Sequence, residues 1–298
     1  MKNMLTRSIT GLIYVLVILG GIMGGACTFG ALFAVVTVCC LWEFYGLLNV
    51  HKSASINRLH HCLGGLILFA SFYSYQFAVT SYQLPVTSLQ LPVTGYQLLI
   101  FLPYLLYLVS VLVAELYVEN EDHIAHLGYI FLGQIYIALP FSLLNIVAFT
   151  QEGYTPIFLL ALFVFIWVND TGAYLTGMKF GKHRLIERIS PKKTWEGFWG
   201  GLTFAALSSL AFAQTTTASV TGHWSLVTGN WQLVTAIWLA MALAVALFGV
   251  WGDLIESLFK RTLGIKDSGN ALPGHGGFLD RFDSLLLAVY ALVFFTCC

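Results

Sequence analysis

Residues 231–252 read WQLVTAIWLAMALAVALFGVWG, and none of them is charged. A helix rising ~1.5 Å per residue needs about 20 such residues to cross the ~30 Å hydrocarbon core of a bilayer, so this stretch reads as a transmembrane helix. Further apolar windows at about 9–29, 31–49, 60–79, 97–118, 127–149, 156–178, 197–219 and 284–298 bring the predicted spans to nine. Across the chain 58% of residues are hydrophobic and 9% charged, against roughly 25% charged in soluble domains, which excludes a soluble fold. The predicted class is therefore all-α, a polytopic transmembrane helical bundle of about nine spans.

Charge gives the orientation. Threading the chain alternately through the nine spans places Lys2 and Arg7, Lys52 and Arg58, Lys179 to Lys193, and Lys260 to Arg281 on one side, and these groups hold all 14 Lys and Arg residues. The positive-inside rule makes that side cytoplasmic, with the N-terminus inside an inner membrane. The opposite loops are nearly uncharged and repetitive: 80–100 reads TSYQLPV, TSLQLPV, TGYQLLI, and 222–235 reads GHWSLVT, GNWQLVT. Prolines and the lack of charged flanks argue against a coiled coil, and no function is assigned to them. The basic, apolar start reads as a retained first helix rather than a cleaved signal. Formal net charge is zero, so no global field recruits nucleic acid. Cys27, Cys39, Cys40, Cys62, Cys297 and Cys298 show no C-x-x-C spacing and read as apolar fillers. His60, His61, His123 and His126 fall at span edges, where solvated or capping roles are expected.

Polar residues at membrane depth are costly, and here they gather late in the chain. Asn169 and Asp170 interrupt the sixth span in IWVNDTGAYLTG, either as an interhelical packing pair or as part of a site. The loop that follows carries SPKKTWEG, in which Lys192, Lys193 and Thr194 sit among rigid and small residues. That composition suits phosphate oxygens, although a basic loop is often only topogenic. No G-x-x-x-x-G-K-[ST] run occurs.

The densest segment is 252–284, GDLIESLFKRTLGIKDSGNALPGHGGFLDRFDS. Asp253, Glu256, Ser257 and Lys260 are spaced i, i+3, i+4, i+7, one face of a helix leaving the membrane, and Asp280, Asp283 and Ser284 repeat i, i+3, i+4. Between them Gly274, Gly276 and Gly277 flank His275, a loop whose backbone can approach an anion. Asp253, Asp280 and Asp283 fit the oxygen donors a magnesium ion wants, and Lys260, Arg261, Lys266 and Arg281 supply charge-assisted bonds to phosphates. The segment thus holds both halves of a phosphoryl or nucleotidyl transfer site, unless it is a structural network of ion pairs.

The run S-L-F-K-R, four residues, K-D-S-G, two residues, L-P-G-H-G-G-F-L-D-R-F-D resembles the pattern of the phosphatidate cytidylyltransferase (CDP-diacylglycerol synthase) family. N-D-T-G-A-Y and S-P-K-K-T-W-E-G resemble it too, so the likeness covers residues 165–298; upstream it extends only to W-E-F-Y at Trp42 to Tyr45. The resemblance implies transfer of CMP from CTP to phosphatidic acid with release of pyrophosphate, in a membrane bundle that is often a homodimer. Carried over, Asp253 and Asp280 are the central magnesium ligands, Asp283 supports them, and a second, monovalent cation such as K+ shares the site. On this reading Asp253, Asp280, Lys260, Arg261 and Arg281 are catalytic, and the substrates meet Asn169, Asp170, Lys192, Lys193, Thr194, Lys266, Asp267, His275, Gly276 and Gly277. Residues 1–160 form N-terminal spans, and 161–298 the catalytic region with its cytosolic motif at 252–284.

Other readings stay open at this level. A lipid kinase would need a distinct nucleotide loop, and a CDP-alcohol phosphotransferase a D-G-x-x-A-R run that is absent. A cation-coupled transporter would use Asp170 and Asp253 for the ion, but no inverted repeat is evident.

Overall fold

The computed structural model describes residues 2–81, 92–119, 122–150, 153–216, 231–269 and 276–297. It is built from helices, as expected of an all-α membrane protein. Five helical stretches are long and apolar enough to cross a bilayer: Ala26–Lys52, Arg58–Thr80, His123–Ala148, Ile157–Phe180 and Trp231–Thr262. The repetitive loops fall largely outside the described residues, as do His275, Gly274 and Cys298. The chain divides into two compact units, each discontinuous in sequence.

The first unit comprises Met1–Tyr154 and Asp267–Asp280. Its helices are α1 (Lys2–Met23), α2 (Ala26–Lys52), α3 (Arg58–Ser81), α4 (Pro92–Glu115), α5 (His123–Gly133) and α6 (Leu139–Ala148). The α1–α2 break comes at Gly24 and Gly25, earlier than the predicted 29–31, because Gly25 adopts φ 107°, a backbone that side chains resist. Asn49 closes the α2–α3 turn through both carboxamide ends, Nδ2 donating to Ile56 O at 2.8 Å and Oδ1 accepting from Ile56 N at 2.7 Å. Between α5 and α6 the chain makes a π turn, Gln134–Ala138, just before Pro140, which lacks the N–H that a regular ladder needs. Gln134 Nε2 there donates to Tyr45 Oη at 3.0 Å and to His61 O at 2.9 Å.

Two of the histidines expected to be solvated are buried instead: His61 and His126 are 4% and 5% exposed. His61 Nδ1 meets Tyr107 Oη at 3.0 Å, and His126 and His123 each contact Glu115, at 2.6 and 2.7 Å. Glu115, an α4 acid that an apolar-window reading passes over, is itself buried and pairs with the buried His126. Cys27, Cys39, Cys40 and Cys62 are free thiols.

The second unit comprises Thr155–Lys266 and Arg281–Cys298. Helix α7 (Ile157–Phe180) leads to a hairpin of β1 (Arg184–Ile186) and β2 (Ser190–Thr194), then to α8 (Trp195–Thr216), α9 (Trp231–Thr262) and α10 (Leu279–Cys297), whose first two residues belong to the first unit. Phe158, Phe165 and Phe212 pack round the fully buried Trp238, at centroid distances of 5.8, 6.3 and 5.3 Å. At 32 residues, α9 is about 48 Å long and outruns a ~30 Å hydrocarbon core, so the polar turns 253–262 extend the predicted span without a break.

Candidate active site

Three elements of the second unit converge on one place. The last turns of α9 carry Asp253, Glu256 and Lys260. The start of α10 carries Asp283, and it comes close because Gly252 leaves no side chain between the helices: a Cβ there would lie 2.5 Å from Asp283 O and 3.2 Å from Ser284 Cα. As a result, ligand oxygens of Asp253, Glu256 and Asp283 all lie within 4.8 Å of one another. The hairpin supplies Lys193, whose Nζ sits 2.7 Å from Asp253 Oδ2. Lys260 pairs with the buried Glu256, and Ser257 Oγ donates to Asp253 Oδ1 at 3.2 Å.

Beside this cluster is a cavity of about 400 Å3 that takes in Asn169, Asp170, Lys192, Lys193, Thr194 and Asp253. Its size lies within the ~300–1,000 Å3 typical of small-molecule sites. The two polar residues of α7 divide their labour. Asn169 is 2% exposed and packs where Gly201 of α8 leaves space, a Cβ on Gly201 falling 2.6 Å from its Oδ1. Asp170 is exposed and lies within electrostatic reach of Asp253, Lys193 and Arg281. Thr194 accepts from Gly197 N at 3.1 Å and so caps α8. Glu196 ties the hairpin down, contacting His183 Nδ1 at 2.6 Å and accepting from Lys182 N at 3.1 Å. Arg261 donates to the carbonyls of Ile189 and Ile265, at 3.3 and 3.4 Å. Lys266 is exposed.

Three carboxylates this close repel one another unless cations stand among them. Two lysines do so, and the all-oxygen donor set also suits a hard divalent ion. The cavity thus sets the ammonium groups of Lys192 and Lys193 in the same lining as the carboxylates of Asp170 and Asp253.

Residues Asp267–Asp280 belong to the first unit, and there Gly276, Gly277 and Asp280 form a tight turn. Asp280 Oδ2 accepts from Ser268 N and Gly277 N, both at 2.9 Å. Gly276 adopts φ 83°, with room for a Cβ taken up by Asp280 Oδ2 at 2.5 Å. Asp267 is exposed. The segment is anchored from α2: Glu43 accepts from Ser268 Oγ, from Phe278 N at 2.8 Å and from Leu279 N at 3.4 Å. A Cβ on Gly277 would collide with Glu43, which accounts for that glycine by space alone.

A family model described as the cytidylyltransferase family matches residues 5–298. The chain belongs to that family. Among curated relatives it is similar to proteins named phosphatidate cytidylyltransferase. It is 39% identical to that of Bacillus subtilis over 178 residues, 59% of this chain and 61% of the relative. It is 45% identical to that of Staphylococcus aureus (strain COL) over 132 residues, 44% and 46% of the two. It is 39% identical to that of Haemophilus influenzae over 142 residues, 47% and 46%. The chain thus spans about half the length of the curated relatives it matches.

Two residues of this cytidylyltransferase-family chain enter the site picture from the fold. Glu256 was visible as part of a polar helix face but not singled out as a ligand. Glu43 lies inside an apolar span, 225 residues before Ser268, and the one signal for it was a lone acid within the W-E-F-Y run.

Proposed function

We propose that the protein transfers CMP from CTP to phosphatidic acid, giving CDP-diacylglycerol and pyrophosphate in phospholipid synthesis. The observation that carries this reading is the cluster of Asp253, Glu256 and Asp283 with Lys193 paired to Asp253, beside a cavity that Lys192 and Lys193 line, in a chain of the cytidylyltransferase family. A phosphate oxygen of phosphatidic acid attacks the α-phosphorus of CTP, the bond to the β-phosphate breaks, and pyrophosphate leaves with the electron pair. The nucleophile is already an anion at neutral pH, so the site has to align and neutralise rather than abstract a proton. Lys192 and Lys193 bind and orient the triphosphate, and Asp253 holds Lys193 at the cavity wall. Asp253, Glu256 and Asp283 fit a magnesium ion, which when bound would offset the charge of the phosphates. Asp280 and the glycines serve the same chemistry by shaping the segment 267–280.

The test is transfer of label from the cytidine moiety of CTP into chloroform-soluble product by purified protein. Transfer should require phosphatidic acid and stop when a chelator removes magnesium. A cation-coupled transporter would give no labelled lipid under any condition.

Lys193→Ala is expected to raise KM for CTP about tenfold while changing that for phosphatidic acid little, since the lost bond is a charge-assisted one to phosphate. Equal rises for both substrates would reduce Lys193 to a general electrostatic or folding role.

The same reading places the site on the cytosolic face of the cell inner membrane, in a chain that crosses it about nine times and pairs as a homodimer. The support for the sidedness is the segregation of all 14 Lys and Arg residues. With native cysteines replaced, a cysteine at Arg188 should resist an impermeant thiol reagent in intact cells. Labelling there would put the site on the side away from CTP.

A further inference from the structure

Glu43 also borders a second cavity, of about 530 Å3, wholly within the first unit. Its α2 wall is the stripe Val38, Trp42, Gly46 and Val50, spaced by four and so on one helix face, with Leu47 beside it. Phe278 and Gly269 of the segment 267–280 close the other side. The stripe is open to the surroundings, Trp42 being 48% and Val50 70% exposed, on a helix apolar enough to cross a bilayer. The cavity is therefore a trough with lipid as its natural neighbour.

The middle of the stripe, at Trp42 and Gly46, faces a basic group. Arg58, at the start of α3, holds its guanidinium carbon 5.5 Å from the Trp42 ring centroid. Gly46 makes the space for it, because a Cβ there would stand 3.0 Å from that carbon. His51 also lines the cavity. Among the described residues no carboxylate forms an ion pair with Arg58. The acid that shares the cavity, Glu43, is taken up by Ser268, Phe278 and Leu279.

A guanidinium seated over an aromatic ring among apolar walls, without an acidic partner among the described residues, is matched by an amphiphile with an anionic head. The planar fork of Arg fits phosphate oxygens in pairs, and the stripe fits a hydrocarbon chain. We propose that this cavity is the seat of the lipid substrate, with the phosphate monoester of a phospholipid on Arg58 and an acyl chain along Val38, Leu47, Val50 and Phe278. Only the identity of the lipid as phosphatidic acid rests on the proposed function; the pocket and its charge stand without it. A substrate role is favoured over a bystander lipid because Ser268, Gly269 and Phe278, which touch the trough, belong to the segment that carries the K-D-S-G and G-H-G-G-F-L-D runs.

The test uses the full chain in phosphatidylcholine nanodiscs and two photoreactive probes with the same diazirine-bearing chains, phosphatidic acid and diacylglycerol. The phosphatidic acid probe should label peptides within 38–50. That labelling should fall about tenfold in Arg58→Gln, recover in part in Arg58→Lys, and exceed labelling by the diacylglycerol probe. Inorganic phosphate should not compete, since it lacks the chain. In steady state, Arg58→Gln and the cavity-filling Leu47→Trp should each raise KM for phosphatidic acid about tenfold and leave that for CTP unchanged. Equal labelling by both probes, or labelling indifferent to Arg58, would overturn the proposal. If phosphatidic acid labels 38–50 but the wild-type chain makes no lipid from CTP, the function reading fails and the lipid site remains.

Discussion

Asp253→Asn should cut turnover by about 10²-fold or more, with the purified variant still monodisperse. The carboxylate lies within 4.8 Å of ligand oxygens on Glu256 and Asp283 and pairs with Lys193 at 2.7 Å. On the proposed function, losing it would weaken the metal site and release the triphosphate-binding lysine at once. Charge that stabilises phosphates mainly in the transition state shows up in kcat, and a factor of 10² corresponds to ~2.7 kcal/mol. The fold should survive, because Asp253 is only partly buried and Lys193 is itself 26% exposed, so no cation is stranded out of reach of solvent. Asp283→Asn should behave alike and raise the magnesium concentration needed for half-maximal rate. Asp267→Asn, at an exposed position, should cost much less. The measurement is magnesium-dependent turnover of the three variants side by side. Near-normal activity in Asp253→Asn would remove the cluster from the mechanism.

Glu43→Ala should lower kcat by a comparable factor, although Glu43 is assigned no contact with a substrate phosphate. Its carboxylate accepts from Ser268 Oγ and from the N–H groups of Phe278 and Leu279. Hydrogen bonds to charged groups are worth ~1.5–3 kcal/mol each, so losing two or three frees a segment whose shape the proposed transfer would require. This is a positioning role, and it has its own signature. Glu43→Gln keeps one acceptor and should regain part of the rate. Hydrogen exchange at the Phe278 and Leu279 amides should accelerate in Glu43→Ala but less in Glu43→Gln, while KM for CTP stays within a few-fold. Uniformly faster exchange throughout the helices would instead mark Glu43 as a plain stability residue.

The membrane class was legible from composition alone, because no soluble fold hides so many uncharged windows of about 20 residues. The helical stretches followed from the same windows, since a backbone in lipid must satisfy its own hydrogen bonds. Their ends were less legible: Gly25 moved the first break, and α9 ran on to Thr262, because helix ends depend on single residues rather than on mean hydropathy. The i, i+3 spacing from Asp253 already puts Glu256 on its helix face, and the structure brings both to one cluster with Asp283.

Tertiary structure alone decided which groups meet. Asp253, Glu256 and Asp283 come together because α9 and α10 touch at Gly252, a contact that no periodicity in either helix encodes. Asp280 and Asp283 look equivalent on paper, three residues apart. In the fold Asp280, in the first turn of α10, accepts through Oδ2 from the loop amides of Ser268 and Gly277, whereas Asp283 stands in the carboxylate cluster. Glu43 could not have been tied to Ser268 from the sequence, because a hydrogen bond between residues 225 apart is specified by packing and leaves no local pattern in the chain.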